Sequence, residues 1–273
     1  MGKFDGILIA CDIDGTLLDD SKSIPRRNVD AVEYFVMNGG FFTLATGRTA
    51  RPLVEKFCDK IKLNAPGICS NGSQIFDFEK LETLWLDPIS KEESINFILP
   101  FKEKFPDVAI EITAPDNTYI LNMTDFSSFH ERAEGFKFID CDVRDIPEPW
   151  IKLMLVREEE FLDEVEQCIL YEWKYPEIND AIRFVRSAPF FLEVLGSNVS
   201  KGKALQVLKG MIGARVSAAI GDGLNDIEML LSADLSFAPG NSKKEAKDAA
   251  TRVVGLNVDG AVADVIEYFD AVY

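Results

Sequence analysis

The chain has 273 residues and a formal net charge of −17, enough length for one large domain or two modest ones, and a field that would repel nucleic acid or an anionic membrane. Its composition, 47% hydrophobic and 27% charged, is that of a globular protein, and apolar runs such as GILIA and IKLML are too short to cross a bilayer. The five cysteines form no CxxC pair and none is followed six places on by arginine, while His130 is the single histidine, so thiolate zinc, thiol-phosphatase, Ser-His-Asp and multi-histidine chemistries are all disfavoured.

In chain order, the start MGKFDG lacks an apolar leader, and a cytoplasmic protein is expected. GILIACD (6–12) reads as a strand covered on both faces. SIPRRNVDAVEYFVMNGG follows as a helix with Pro25 near its start, an apolar face through Val29, Val32 and Val36, and a Gly39-Gly40 stop. FFTLAT (41–46), a helix over TARPLVEKFCDKI and a short strand in PGICSNG continue the pattern, which implies parallel pairing with right-handed crossovers.

Between about Trp85 and Pro189 the texture changes. QIFDF and LETLWLD lead out, followed by a helix SKEESINFILPFKEKF, strands VAIEITA, TYILNM and WIKLMLV, a helix EEEFLDEVEQCILYEWKY, and strands AIRFVR and FFLEVLG. That order predicts an α+β unit, a small sheet with helices on one face. The first texture then resumes with helix SKGKALQVLKGMIG, strand VSAAIGD, helix LNDIEMLLSA, strand LSFAPG and a closing helix AVADVIEYFDAVY. The expected fold is therefore an α/β core with a Rossmann-like parallel sheet, residues 1–83 and 190–273, interrupted by an inserted α+β cap over 84–189.

Polar groups gather just past the core strands: DIDGT (Asp12, Asp14, Thr16), TGR (Thr46, Gly47, Arg48), SNG (Ser70, Asn71, Gly72) and GDGLND (Asp222, Asn225, Asp226). In an open parallel sheet, ligands lie outside the carboxyl ends of the strands, so four separate segments supply one edge. Each pattern alone has a plain reading, as a solvated turn, a helix cap or an amphipathic helix start. Together and in order they resemble the four motifs of the haloacid dehalogenase superfamily of phosphohydrolases. The likeness is to the Cof-type, class IIB capped branch, with the cap between the second and third motifs and Lys201 of SKGKAL as the third.

The resemblance implies a phosphatase that works through an aspartyl-phosphate. Asp12 is the expected nucleophile and Asp14 the acid and base. Gly15 lets the chain leave the strand, and Thr16 is expected to order that turn. Thr46, Gly47, Arg48, Asn71, Lys201 and Asn225 are candidates for substrate or phosphate contact, with Arg48 open between substrate and a neighbouring carboxylate. Four acids facing a phosphate dianion with one clear lysine call for a hard cation, and oxygen ligands suit Mg²⁺. The resemblance gives its ligands as the Asp12 carboxylate, the Asp14 main-chain carbonyl and Asp222, with Asp226 direct or through water. The expected substrate is a small phosphorylated metabolite, a sugar phosphate first, selected by the cap, and the protein is expected to act as a monomer. A phosphomutase or phosphotransferase on the same scaffold and a non-enzymatic phospho-accepting receiver module are the alternatives. Cys11 reads as a small buried hydrophobe, His130 as structural or surface, and Asp19 and Asp20 as solvated loop.

Overall fold

The computed structural model describes residues 2–172 and 180–273. The chain divides into two compact units, Met1–Trp85 with Ser200–Tyr273, and Leu86–Val199. In chain order the first unit begins with β1 (Ile7–Cys11), α1 (Arg26–Met37), β2 (Phe41–Leu44), α2 (Ala50–Phe57), β3 (Gly67–Cys69), β4 (Gln74–Asp77) and β5 (Glu82–Leu86). The second carries α3 (Lys91–Lys104), β6 (Ala109–Thr113), β7 (Thr118–Ile120), α4 (Asp125–Glu134), β8 (Phe138–Asp140), β9 (Lys152–Val156), α5 (Glu159–Tyr171), β10 (Ile182–Ala188) and β11 (Phe191–Gly196). The first resumes with α6 (Lys201–Ile212), β12 (Val216–Ile220), α7 (Ile227–Ser232), β13 (Leu235–Ala238), α8 (Lys244–Ala249), β14 (Arg252–Val253) and α9 (Ala261–Val272).

The sheet of the first unit runs β14-β13-β12-β1-β2, with every pair parallel. A single parallel bridge from Ala45 to Ile68 sets β3 beyond β2. The chain therefore winds from β1 through β2 to β3 on one side, then from β12 through β13 to β14 on the other. The order reverses between β1 and β12, and an α/β sheet places its ligands in the crevice at such a point. β1 is buried at every position, so its alternating side chains divide between two cores. Ile7, Ile9 and Cys11 join Val32 and Phe35 of α1 and Val262 and Phe269 of α9. Leu8 and Ala10 join Leu205 and Leu208 of α6 and Met229 of α7. Each large aliphatic or aromatic side chain so buried contributes about 1.5–3 kcal/mol of transfer free energy, which makes β1 a rigid mount. The buried face of α1 runs through Asn28, Val32 and Phe35, rotated from the expected valine stripe because Asn28 is drawn in by hydrogen bonds.

The sheet of the second unit has the order β10-β11-β9-β6-β7-β8. β11 pairs with β9 and β10, both antiparallel, so Phe191–Gly196 lies in this unit, beyond the boundary at 189 expected from sequence. One face packs on Phe97 and Phe101 of α3 and Leu162, Val165 and Ile169 of α5. The opposite face carries Ala109, Met154 and Val156 with Phe126 of α4 against them, so helices pack on both faces and not on one. The sequence reading also missed α4, β8 and α8. Thr124 caps α4 with Ser127 completing the reciprocal pair and Gly135 ends it at φ 80°, a capping box written with serine where glutamate is the usual cue. The expected continuation of α5 through Trp173–Tyr175 lies outside the described residues.

Candidate active site

Asp12 follows the last residue of β1 and stays tied to the sheet, its N–H donating to Ile220 O at 2.9 Å. The chain then turns sharply: Leu18 N donates to Ile13 O at 3.0 Å, and Gly15 takes φ 84°. A Cβ at Gly15 would lie 2.4 Å from Asp222 Oδ2, so glycine answers both the left-handed backbone and the close approach of an acid from β12. Thr16 Oγ1 donates to Asp222 Oδ1 at 2.8 Å. Its hydroxyl thus crosses to the other side of the switch point instead of ordering its own turn.

Lys201 is the first residue of α6, whose N-cap Ser200 accepts from Lys203 N at 3.1 Å. The side chain is fully buried, and a buried ammonium persists only when partnered. Its Nζ donates to Asp12 Oδ1 at 2.7 Å and to Asp226 Oδ1 at 2.6 Å. Asp226 Oδ2 accepts from Asp222 N at 3.0 Å and Gly223 N at 2.9 Å. Both Asp226 oxygens are therefore engaged, one fixing the lysine and the other the GDGLND loop. Asp12 is pushed up by burial and by Asp226 and Asp222, with Lys201 opposing. Burial followed by the Asp226 charge pushes Asp222 up to about 6, against its bond from Thr16. Burial alone would lower Lys201, but Asp12 and Asp226 raise it above the usual lysine range.

Two carboxylates thus hold one ammonium, with a third close by. Asp12, Asp222 and Asp226 each offer an oxygen, all within 4.8 Å of one another. The donor set is hard oxygen, and three carboxylates share the one ammonium of Lys201. Both properties fit a small divalent cation such as Mg²⁺.

The second wall comes from the turns after β2 and β3. Thr46 N donates to Ile68 O and Asn71 N to Thr46 O, each at 2.9 Å, and Ser70 N to Arg48 O at 2.9 Å. Thr46 Oγ1 accepts from Arg48 N at 3.2 Å, and Gly47 lies half-buried between them. Ser70 and Asn71 hold φ of 51° and 53°, a strained pair of the kind that clusters at functional sites. Gly72 follows at φ 101°, where a Cβ would meet Ser200 O at 2.2 Å. Asn225 Nδ2 donates to Asn71 Oδ1 at 3.0 Å, and Asn71 Nδ2 is buried without a hydrogen-bond partner.

Arg48 turns to Asp14, with Nε to Oδ2 at 2.9 Å and Nη2 to Oδ1 at 3.0 Å. Burial would raise Asp14, but Arg48 and then Lys22 outweigh it and hold the carboxyl below its ordinary range. Asp12, Lys201, Asp222 and Asp226 thus form one connected cluster, Thr46 and Asn71 are linked to Asn225, and Arg48 holds Asp14.

Several contributors escaped the sequence reading. Asn241 Nδ2 donates to Gly15 O at 2.8 Å, and Asn257 N donates to Asn241 Oδ1 at 3.0 Å. Asn28 and Asn257 donate to the carbonyls of Leu17 and Leu18 at 3.3 and 2.8 Å. Three asparagines thus satisfy the turn that follows Asp14. Asn241 sits in PGNS, just past the carboxyl end of β13, where the strand-end rule applied to the other loops would have found it. Asp19 is not idle loop: its Oδ1 accepts from Ser21 N, Ser21 Oγ and Ser23 N. That turn carries Lys22, whose Nζ reaches Asp14 Oδ1 at 3.3 Å. Cys11 is buried, with burial first and Asp12 next pushing its thiol up, so it is an unreactive packing residue. His130 pairs with Glu111 at 2.9 Å in the second unit.

Residues 9–266 match the profile of haloacid dehalogenase-like hydrolases. A 5-amino-6-(5-phospho-D-ribitylamino)uracil phosphatase of Bacillus subtilis is 26% identical over 282 residues, covering 96% of this chain and 95% of its own length. The crystal structure of a haloacid dehalogenase-like hydrolase from Bacteroides thetaiotaomicron superposes with a TM-score of 0.78 at 26% identity, covering 97% of this chain and 99% of that one. A subclass IIB sugar phosphatase of the same superfamily shares the fold, with a TM-score of 0.78 at 23% identity over 96% of this chain and 98% of its own. No described helix is long and apolar enough to cross a membrane.

Proposed function

The chain belongs to the haloacid dehalogenase-like hydrolase family, and from that premise we propose that it is a Mg²⁺-dependent phosphatase of small phosphorylated metabolites, sugar and sugar-alcohol phosphates first. The observation that carries this reading is the fully buried Lys201 pinned between Asp12 and Asp226, with Asp222 alongside. The phosphoribityl substrate named for the Bacillus subtilis relative supports the substrate class.

In this reading Asp12, through the oxygen that Lys201 does not hold, attacks phosphorus and displaces the leaving oxygen. Asp14 protonates that oxygen as it departs and then takes a proton from the water that splits the aspartyl-phosphate. Lys201 holds Asp12 in line and balances charge on the phosphoryl group, with Thr46, Asn71 and Asn225 as hydrogen-bonding groups on the opposite wall. The Asp12 carboxylate, the Asp14 carbonyl and Asp222 would hold Mg²⁺, with Asp226 bonded directly or through water. Bound there, the ion supplies charge neutralisation and orientation for in-line transfer.

Phosphate release across a metabolite panel, with and without Mg²⁺, tests the reading. Release that needs Mg²⁺ and disappears in Asp12→Asn is expected. Turnover undiminished in Asp12→Asn would sink the assignment of the nucleophile, and product analysis with a hexose phosphate separates hydrolysis from transfer to a hydroxyl. A receiver module is the weaker alternative, since the phosphatase relative spans nearly the whole chain.

A further inference from the structure

Arg48 meets Asp14 through two parallel bonds of 2.9 and 3.0 Å, a forked pairing that fixes a carboxylate in both place and plane. Its own backbone is held by the loops on either side, the N–H by Thr46 Oγ1 at 3.2 Å and the carbonyl by Ser70 N at 2.9 Å. Asp14 needs such a brace. It lies one residue before Gly15 at φ 84°, and its side chain is 42% exposed, so packing does little to hold its rotamer. Lys22 adds a contact of 3.3 Å from a side chain that is 68% exposed, which makes it the weaker arm.

Building on the phosphatase reading above, we propose that Arg48 is a positioning residue for Asp14 and not an anchor for the phosphoryl group. As the bond from phosphorus to the leaving oxygen breaks, its electron pair stays on that oxygen, which takes the proton of Asp14 while Asp12 bonds to phosphorus. In the second half, Asp14 takes a proton from water as the water oxygen bonds to phosphorus and the bond to Asp12 breaks. Both transfers need the Asp14 carboxyl at one place, and the Arg48 fork holds it there. An ester whose leaving group departs without a proton is less dependent on that fork than an alkyl ester, whose alkoxide cannot leave unprotonated.

The test compares kcat/KM of wild type, Arg48→Ala, Arg48→Lys and Lys22→Ala on an alkyl phosphate and on nitrophenyl phosphate, at saturating Mg²⁺. Calorimetry of inorganic phosphate binding and a thermal melt accompany each variant. For Arg48→Ala a loss of about 30- to 100-fold is expected on the alkyl ester, less than the roughly 10²–10⁴-fold that a positioned acid–base group itself supplies, and less than about threefold on the aryl ester. Phosphate affinity stays within about twofold of wild type, because the fork acts on the proton donor rather than on the anion. Arg48→Lys keeps the charge without the fork and recovers part of the alkyl rate, and Lys22→Ala, which removes the weaker arm, loses less than Arg48→Ala on the alkyl ester. Equal losses on both esters with weakened phosphate binding would make Arg48 a phosphoryl anchor and overturn the proposal, as would full activity of Arg48→Ala on the alkyl ester. A wild-type protein inert toward both esters would overturn the phosphatase reading and this assignment with it.

Discussion

Among the described residues each unit buries one lysine among carboxylates, and the two settings differ in where the charges lie. In the second unit Lys152 of β9 meets Glu193 of β11 at 3.0 Å, both nearly inaccessible. Beside them Glu111 of β6 bonds His130 at 2.9 Å. Glu111, Lys152 and Glu193 stand on adjacent strands of one sheet, where strand pairing sets their spacing. In the first unit Lys201 meets two acids with a third close by, and every member sits at a strand end, in a strand-end loop or at a helix start. In the second unit Lys152 and His130 give each buried glutamate a basic partner. In the first unit three aspartates share one lysine, and they lie at the switch point of a parallel sheet, where such sheets take their ligands. Burial is shared by both settings, and three aspartates gathered on one lysine at the strand ends are what distinguish the first.

The largest expected effect is on chemistry. Asp12→Asn is expected to lower Mg²⁺-dependent phosphate release by about 10⁴-fold or more, since losing a nucleophile removes the whole covalent route, and circular dichroism should show the fold retained. Removing either lysine comes next. Lys201→Met and Lys152→Met each leave buried carboxylate without its cation and are expected to cost about 3–5 kcal/mol in denaturant unfolding. Only the Lys201 variant should also lose turnover through its own charge and regain stability when Mg²⁺ is added. Equal recovery of the two variants by Mg²⁺ would erase the distinction.

Smaller effects sharpen it. For the wild-type protein, Mg²⁺ at about one hundred times its dissociation constant should add about 2.7 kcal/mol of stability, an increment that Asp222→Asn should largely lose and Glu193→Gln should keep. The pH dependence has a definite sign. Asp222 is pushed up from 3.8 to about 6, so the folded metal-free protein binds its proton more tightly than the unfolded chain does. Its penalty is absent below 3.8, grows as pH rises toward about 6, and is fully present above that. Metal-free melts should therefore show stability falling across that window, a slope that Asp222→Asn reduces. Replacing both members of the Lys152–Glu193 pair, as Lys152→Met with Glu193→Leu, should be near neutral or stabilising by about 1–4 kcal/mol.

The alternating strand and helix pattern, the interruption by a second unit and the four strand-end motifs were all legible in the chain itself. They are local: an apolar run, a glycine turn and the acids after it lie within a few residues of one another. Asp12, Asp14, Thr46, Lys201 and Asp222 could be named because each immediately follows or opens a recognisable element. Which of these groups meet is set by the fold. Thr16 bonds Asp222, 206 residues away; Arg48 chooses Asp14; Asp226 spends both oxygens on Lys201 and its own loop; and Asn241 reaches the Gly15 carbonyl, 226 residues off. Periodicity and propensity act over a turn or two of chain, whereas these pairings are set by sheet order, which brings β1 against β12 only after the intervening unit has been bypassed. GILIACDIDGT carries its own instruction for a strand that ends in two acids. Which groups steady those acids is written in segments that only folding brings beside it.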